Sequence, residues 1–233
     1  ANMLSNGITS VDAPLEMRLA WVTPSQRRTE LQKAVTVAKQ HKGKVLVFAF
    51  NEGTEGHDRP SLALPDGQDA LISAVTKANK NSIVVLNTGD PITMPWVKQA
   101  AAILQMWYSG QESATATANI LTGKVNPSGK LPVTFPAAEK DTPLQTVEQF
   151  PGVKGRVDYK EGILVGYRWY VTKAIKPLFA FGHGLSYTQF KYSAVEVKPA
   201  ADGYQVSFTV TNTGDRDGAD VPQIYLGAVA DAP

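Results

Sequence analysis

Between residues 25 and 123 the sequence alternates apolar runs of strand length with amphipathic helical stretches, three times over. That alternation constrains the fold more than any other feature. Parallel strands joined by crossover helices are covered on both faces and read as near-continuous apolar runs, whereas half-exposed strands alternate with polar residues. Residues 44–50, 82–87 and 102–107 are predicted to be such strands. Ser25 is expected to cap a helix with Leu31, Ala34, Val35 and Ala38 on one face, and Gly43 stands at its C-terminal cap position. Asp66 precedes a second helix carrying Leu71, Ala74, Val75 and Ala78, and a third over 111–122 ends at Gly123. The expected class is α/β, with a mainly parallel sheet buried on both sides.

After Gly123 the texture changes. Asn126-Pro127-Ser128-Gly129 is turn chemistry, and the irregular stretch from Phe135 to about Lys160 does not read as a second compact domain. From Tyr192 onward strands return, with Val206, Phe208 and Val210 alternating onto one face and a turn-rich Asn212-Thr213-Gly214-Asp215 behind them. This reads as the opening of a β-sandwich. About three strands fit before Pro233, where a sandwich needs roughly seven, so both chain ends are expected to be interior points of a longer protein.

Several function classes recede on composition. A net charge of +2 over 233 residues, with no run of lysine and arginine, gives no field for nucleic acid. No stretch approaches the ~20 apolar residues of a membrane span. A chain without cysteine suits the bacterial periplasm and the cytosol equally; a periplasmic or extracellular location is expected, with the cytoplasm left open. His57 and His183 lack metal-ligand spacing, Gly182-His183-Gly184 is too short for a dinucleotide fingerprint, and no phosphate-binding glycine loop is present, so neither metal nor cofactor is expected.

The segment that carries chemistry is Asn51-Glu52-Gly53-Thr54-Glu55-Gly56-His57-Asp58-Arg59, directly after the first predicted strand. In open α/β sheets, sites form beyond the carboxyl ends of strands. Glycines on either side of a carboxylate let the loop project it outward. From the residues alone a blander reading stands beside this one, with Asp58 and Arg59 as a structural ion pair and both glutamates merely solvated. Glu112 is read as a helix-start carboxylate favoured by the dipole. Trp107, Tyr108 and Trp169 could stack on a sugar, but core packing is the preferred reading, and no residue is assigned to substrate binding.

Residues 54–68, beginning Thr54-Glu55-Gly56-His57-Asp58-Arg59, resemble the acid/base loop of glycoside hydrolase family 3 β-glucosidases. Residues 84–96, 107–112, 123–136, 159–170 and 177–188 follow in that family's order and spacing. The resemblance implies an (α/β)6 sandwich domain over 25–191 and the start of a fibronectin type III-like domain over 192–233. Residues 14–24 resemble the last strand of a β-sandwich insert that some members carry, so 1–24 is read as its tail, with an ordinary edge strand an equal alternative.

The same resemblance implies a retaining β-glucosidase acting on terminal β-D-glucosyl residues such as those of cellobiose and aryl β-glucosides. Glu55 matches the catalytic general acid/base. Glu52 is second choice, because the family pattern places that glutamate directly before the Gly-x-Asp-Arg run. The aspartate nucleophile belongs to an N-terminal TIM-like barrel of on the order of 200 residues, for which this chain has no counterpart. The expected partners are therefore a β-glucoside and a separate chain or fragment bearing that barrel. A β-xylosidase, an exo-β-glucanase or a natural-product deglycosylase are alternatives within the family; a non-catalytic carbohydrate-binding or scaffold module is the alternative outside it.

Overall fold

The computed structural model describes residues 22–53, 56 and 58–227. The strand expected within 1–24 falls, but for its last three residues, outside the described part, as do Thr54, Glu55 and His57.

Helix α1 (Pro24–Gln40) is capped by Thr23 rather than by Ser25. The Gln26 amide donates to Thr23 Oγ1 at 3.2 Å, and the Thr23 amide donates to Gln26 Oε1 at 2.8 Å. Pro24 explains the shift: its fixed φ suits the first helical position and it has no N–H to satisfy, so the cap moves to the residue before it. At the other end Gly43 is not the cap either, since the chain leaves the helix through an extended His41. The end carbonyls that a left-handed glycine cap would engage are taken instead by Asn79. Its Nδ2 donates to Ala38 O at 3.1 Å and His41 O at 2.8 Å.

Strands β1 (Val45–Phe50), β2 (Ser82–Asn87) and β3 (Ala102–Gln105) form a parallel sheet in the order β1-β2-β3. The register sets Phe50 beside Asn87 and Leu86 beside Gln105, so the three carboxyl ends finish together. The third strand stops two residues short of the expected 107, because Trp107 adopts φ +54 and turns the chain out of the sheet. Helix α2 (Gln68–Ala78) starts after a left-handed Gly67. Asp66, expected as its cap, itself lies at φ 57 in the preceding 3-10 turn. Asp69 in the first turn of α2 does the linking, accepting from the Leu64 amide at 3.1 Å and from the Trp96 indole at 2.7 Å.

The core gathers between this sheet and α2, around Ile72, Val84, Leu86, Ile92 and a fully buried Trp96. β2 is buried on both faces, as its apolar run predicts. β1 is not: Val47 and Ala49 are buried, but Leu46, Phe48 and Phe50 on the other face are 44–55% exposed. Among the described residues nothing covers that side fully.

Helix α3 (Ser113–Leu121) follows a 3-10 turn over Gly110–Glu112. The irregular stretch beyond it is tied to the core by Phe135, whose amide donates to Phe179 O at 2.8 Å and whose ring lies 6.1 Å from that of Trp107. After the short helix α4 (Tyr167–Thr172), strands β4 (Phe190–Ala200) and β5 (Gly203–Asn212) pair antiparallel, with a bulge between Ser193 and Glu196. Among the described residues this second sheet has two strands, one fewer than the three expected. Asp220 fastens the hairpin: it accepts from Tyr192 Oη at 2.6 Å and pairs with Lys130 Nζ at 2.9 Å. No described helix is long and apolar enough to cross a membrane.

Asn79 is the test of how α1 is held. Replacing it with alanine strips donors from buried carbonyls, and we expect a loss of about 1–3 kcal/mol in urea unfolding with an unchanged slope. An unchanged midpoint would show that these carbonyls find other partners.

Candidate functional site

The sheet delivers three segments to one crevice: residues 51–53 after β1, 88–90 after β2 and 106–108 after β3. Each is pinned by side chains from its neighbours. Gln68 holds the last residue of β1 with both ends of its amide, accepting from the Phe50 N–H and donating to the Phe50 carbonyl, each at 2.8 Å. Asn51 is buried, and its Oδ1 accepts from the Gly89 amide at 3.1 Å. Its Nδ2 is buried without a hydrogen-bond partner among the described residues.

Tyr108 closes the crevice from the third strand. Its hydroxyl donates to Asn51 O at 2.8 Å and accepts from the Gly53 amide at 2.6 Å. The ring crosses Gly89 so closely that a Cβ there would lie 2.5 Å from Cε2 and 2.7 Å from Cζ. A Cβ on Gly53 would lie 2.6 Å from Asp90 Oδ2. A side chain at 53 or 89 would thus have to displace Asp90 or Tyr108, a constraint of close approach rather than of backbone angle.

The loop returns to the body through Arg59. Asp58 is not its ionic partner: the guanidinium turns to Asp90 Oδ2 at 3.7 Å and donates to Pro91 O at 3.4 Å and Ala63 O at 3.3 Å. Asp90 lies three residues beyond the end of β2, in the segment that enters the crevice; it and Asp58 are both exposed. Beyond Arg59, the Leu62 amide donates to Glu139 Oε1 at 2.5 Å and the Ser61 hydroxyl donates to the same carboxylate. Those two bonds, Ser61 first, hold the Glu139 carboxyl below the usual glutamate range.

Of the sequence candidates, Glu52 is exposed at the start of the loop, while Glu55 and His57 lie outside the described residues. Glu112 stands at the N-cap of α3, as its dipole reading expects. Trp107 packs against the core and Trp169 donates its indole N–H to Asp141 O at 3.0 Å. Tyr108 departs from its core reading; it is 55% exposed and works through its hydroxyl. The sequence signal for it was indirect, namely a glycine shortly after each of the first two strands, Gly53 and Gly89, with a tyrosine after the third. His183 stacks on Phe179 at 5.0 Å, and burial followed by the charge of Lys130 pushes its imidazole below the usual histidine value. No group of three metal-ligating side chains occurs among the described residues. An apolar cleft lined by Val197, Val206, Phe208 and Ile224 lies under the β4–β5 hairpin and includes none of the crevice residues.

The model of the glycosyl hydrolase family 3 C-terminal domain matches residues 4–187. A β-glucosidase of Rhizobium radiobacter is 48% identical over 190 residues, covering 78% of this chain and 23% of the relative. A β-glucosidase of Bacteroides ovatus is 45% identical over 179 residues, 74% of this chain and 24% of the relative. Among solved structures, DesR, a β-glucosidase from Streptomyces venezuelae in complex with D-glucose, superposes with a TM-score of 0.81 at 50% identity, covering 84% of this chain and 25% of that one. The β-glucosidase of Kluyveromyces marxianus in complex with glucose gives 0.78 at 37% identity, over 85% of this chain and 23% of that one. The chain spans about a quarter of the length of each of these proteins.

Glu139 gives the segment after Arg59 a pH dependence. A carboxyl lowered in the folded state contributes stability that is complete above its ordinary value of about 4.3 and is lost as pH falls through the lower folded value. Glu139→Gln should therefore speed amide exchange at Leu62 at pH 7, and the difference from the unmodified chain should shrink as pH falls below about 4. A difference that stays constant into acid would mean the carboxylate charge plays no part.

Proposed function

This chain belongs to glycosyl hydrolase family 3, and from that premise we propose that it is the acid/base-bearing part of a retaining β-glucosidase acting on terminal β-D-glucosyl residues. The observation that carries the proposal is the loop leaving β1. It begins in a crevice at the carboxyl ends of three parallel strands and runs into the Thr54-Glu55-Gly56-His57-Asp58-Arg59 stretch. The glucose held by two of the matching structures supports a glucosyl unit as the group recognised.

Retaining hydrolysis needs two carboxyl groups about 5–5.5 Å apart on either side of the glycosidic bond. One attacks the anomeric carbon and forms a covalent glycosyl-enzyme. The other gives its proton to the departing oxygen, then takes a proton from the water that releases the sugar. Glu55 takes this second role. The nucleophile is an aspartate of the TIM-like barrel, in the same polypeptide or in a partner chain. The uncovered apolar side of β1, with Leu46, Phe48 and Phe50, supports a further packing layer in the complete enzyme. The glycosidic aglycone remains a matter for the barrel, with cellobiose and aryl β-glucosides as the working substrates.

Two outcomes test this. The chain separated from any barrel should hydrolyse no aryl β-glucoside, since the covalent step has no nucleophile; turnover by the rigorously purified chain would refute the division of the site. In the barrel-completed enzyme, Glu55→Ala should lower cellobiose turnover by about 10²–10⁴-fold, the usual worth of general acid/base assistance. An aryl glucoside with an acidic phenol should lose less in its first step, and azide, which needs no base, should restore its turnover as β-glucosyl azide. Near-normal rates on both substrates, or an azide response confined to Glu52→Ala, would move the assignment off Glu55.

A further inference from the structure

An acid/base carboxyl works only if it is held within about half an ångström of its productive position, yet the loop after β1 carries Gly53 and a Gly56 at φ +83. Glycines of this kind give the chain freedom rather than hold it. We propose that Tyr108 is the positioning residue for this loop, its hydroxyl fixing the two residues from which the chain departs toward Glu55. The proposal rests on the acid/base reading of Glu55.

The geometry supports this in three ways. One hydroxyl uses its donor and its acceptor at once, on Asn51 O at 2.8 Å and Gly53 N at 2.6 Å, and so bridges two residues of the same loop. It reaches them from the far strand: β2 lies between β1 and β3, and the left-handed Trp107 turns the chain just before Tyr108. The path across β2 exists only because residue 89 has no side chain, its Cβ position lying 2.5–2.8 Å from ring and hydroxyl atoms of Tyr108. A tyrosine placed for packing would bury its ring, but this one is more than half exposed.

Tyr108→Phe keeps the ring and removes only the hydroxyl, so it separates positioning from stacking on a sugar. In the barrel-completed enzyme we expect kcat/KM for cellobiose to fall about 10- to 100-fold, the scale of a misplacement near 1 Å. For an activated aryl glucoside, which leaves with little protonation, we expect a fall of less than about threefold. Azide should raise kcat for the aryl substrate, because the second step also depends on a placed base. Gly89→Ala, which keeps the hydroxyl but drives the ring from its seat, should reproduce the pattern and guards against a folding defect peculiar to the first variant. Equal losses on both substrates, no loss at all, or a change confined to KM would overturn the proposal. Glu55→Ala run in parallel distinguishes the two failures. If it shows dependence on the leaving group and an azide response while Tyr108→Phe does not, the positioning role alone falls. If it shows neither, the acid/base reading falls and this inference with it.

Discussion

The parallel register of β1, β2 and β3 is the constraint on which the candidate site depends. Pairing Phe50 with Asn87 and Leu86 with Gln105 makes the strands finish at one level, so the residues that follow must share one crevice. Hydrogen bonds at that level then run between segments distant in sequence, from Asn51 to Gly89 and from Tyr108 to Gly53. A slip of one residue between β1 and β2 would exchange the two faces of a strand, putting Val47 and Ala49 where Phe48 and Phe50 now lie and carrying Asn51 out of reach of Gly89.

Much of this was legible in the sequence, for a physical reason. Strand runs such as 82–87 are apolar because both their faces are covered, and that demand is written residue by residue. The carboxyl-end location of the loop follows from the chain order of strand and helix. What could not be read were choices made between near neighbours or across distance. Thr23 displaced Ser25 as a cap because of one intervening proline, and Asp69 displaced Asp66 because its partners, Leu64 and Trp96, are brought to it only by the tertiary fold. Tyr108 reads as a core residue because it continues an apolar run; a single left-handed residue, Trp107, reverses its direction, and no periodicity announces that. The pairing of Arg59 with Asp90 rather than Asp58 is of the same kind, since adjacency in sequence says little about adjacency around a crevice.

The crevice also shows how glycine serves close approach between segments distant in sequence. The glycines at the ends of the first two strands are each approached by another segment: Gly53 after β1 lies against Asp90, and Gly89 after β2 lies under Tyr108. Small residues here create room for neighbouring groups to close in. Glu139, reaching Ser61 and Leu62 from outside the sheet, extends the same arrangement to the returning limb of the loop.

The one-sided burial of β1 has a consequence for how this polypeptide behaves at concentration. Val45-Leu46-Val47-Phe48-Ala49-Phe50 is six uncharged residues of high β-propensity without proline or glycine, the composition that favours cross-β stacking. Among the described residues it is also an edge strand, with the Gln68 amide occupying the backbone groups of Phe50 alone. Lys42 and Lys44 before it and Glu52 after it place charge at both ends, the arrangement by which natural sequences restrain such segments. These three charges flank the edge, and raised ionic strength, which screens them, weakens that restraint.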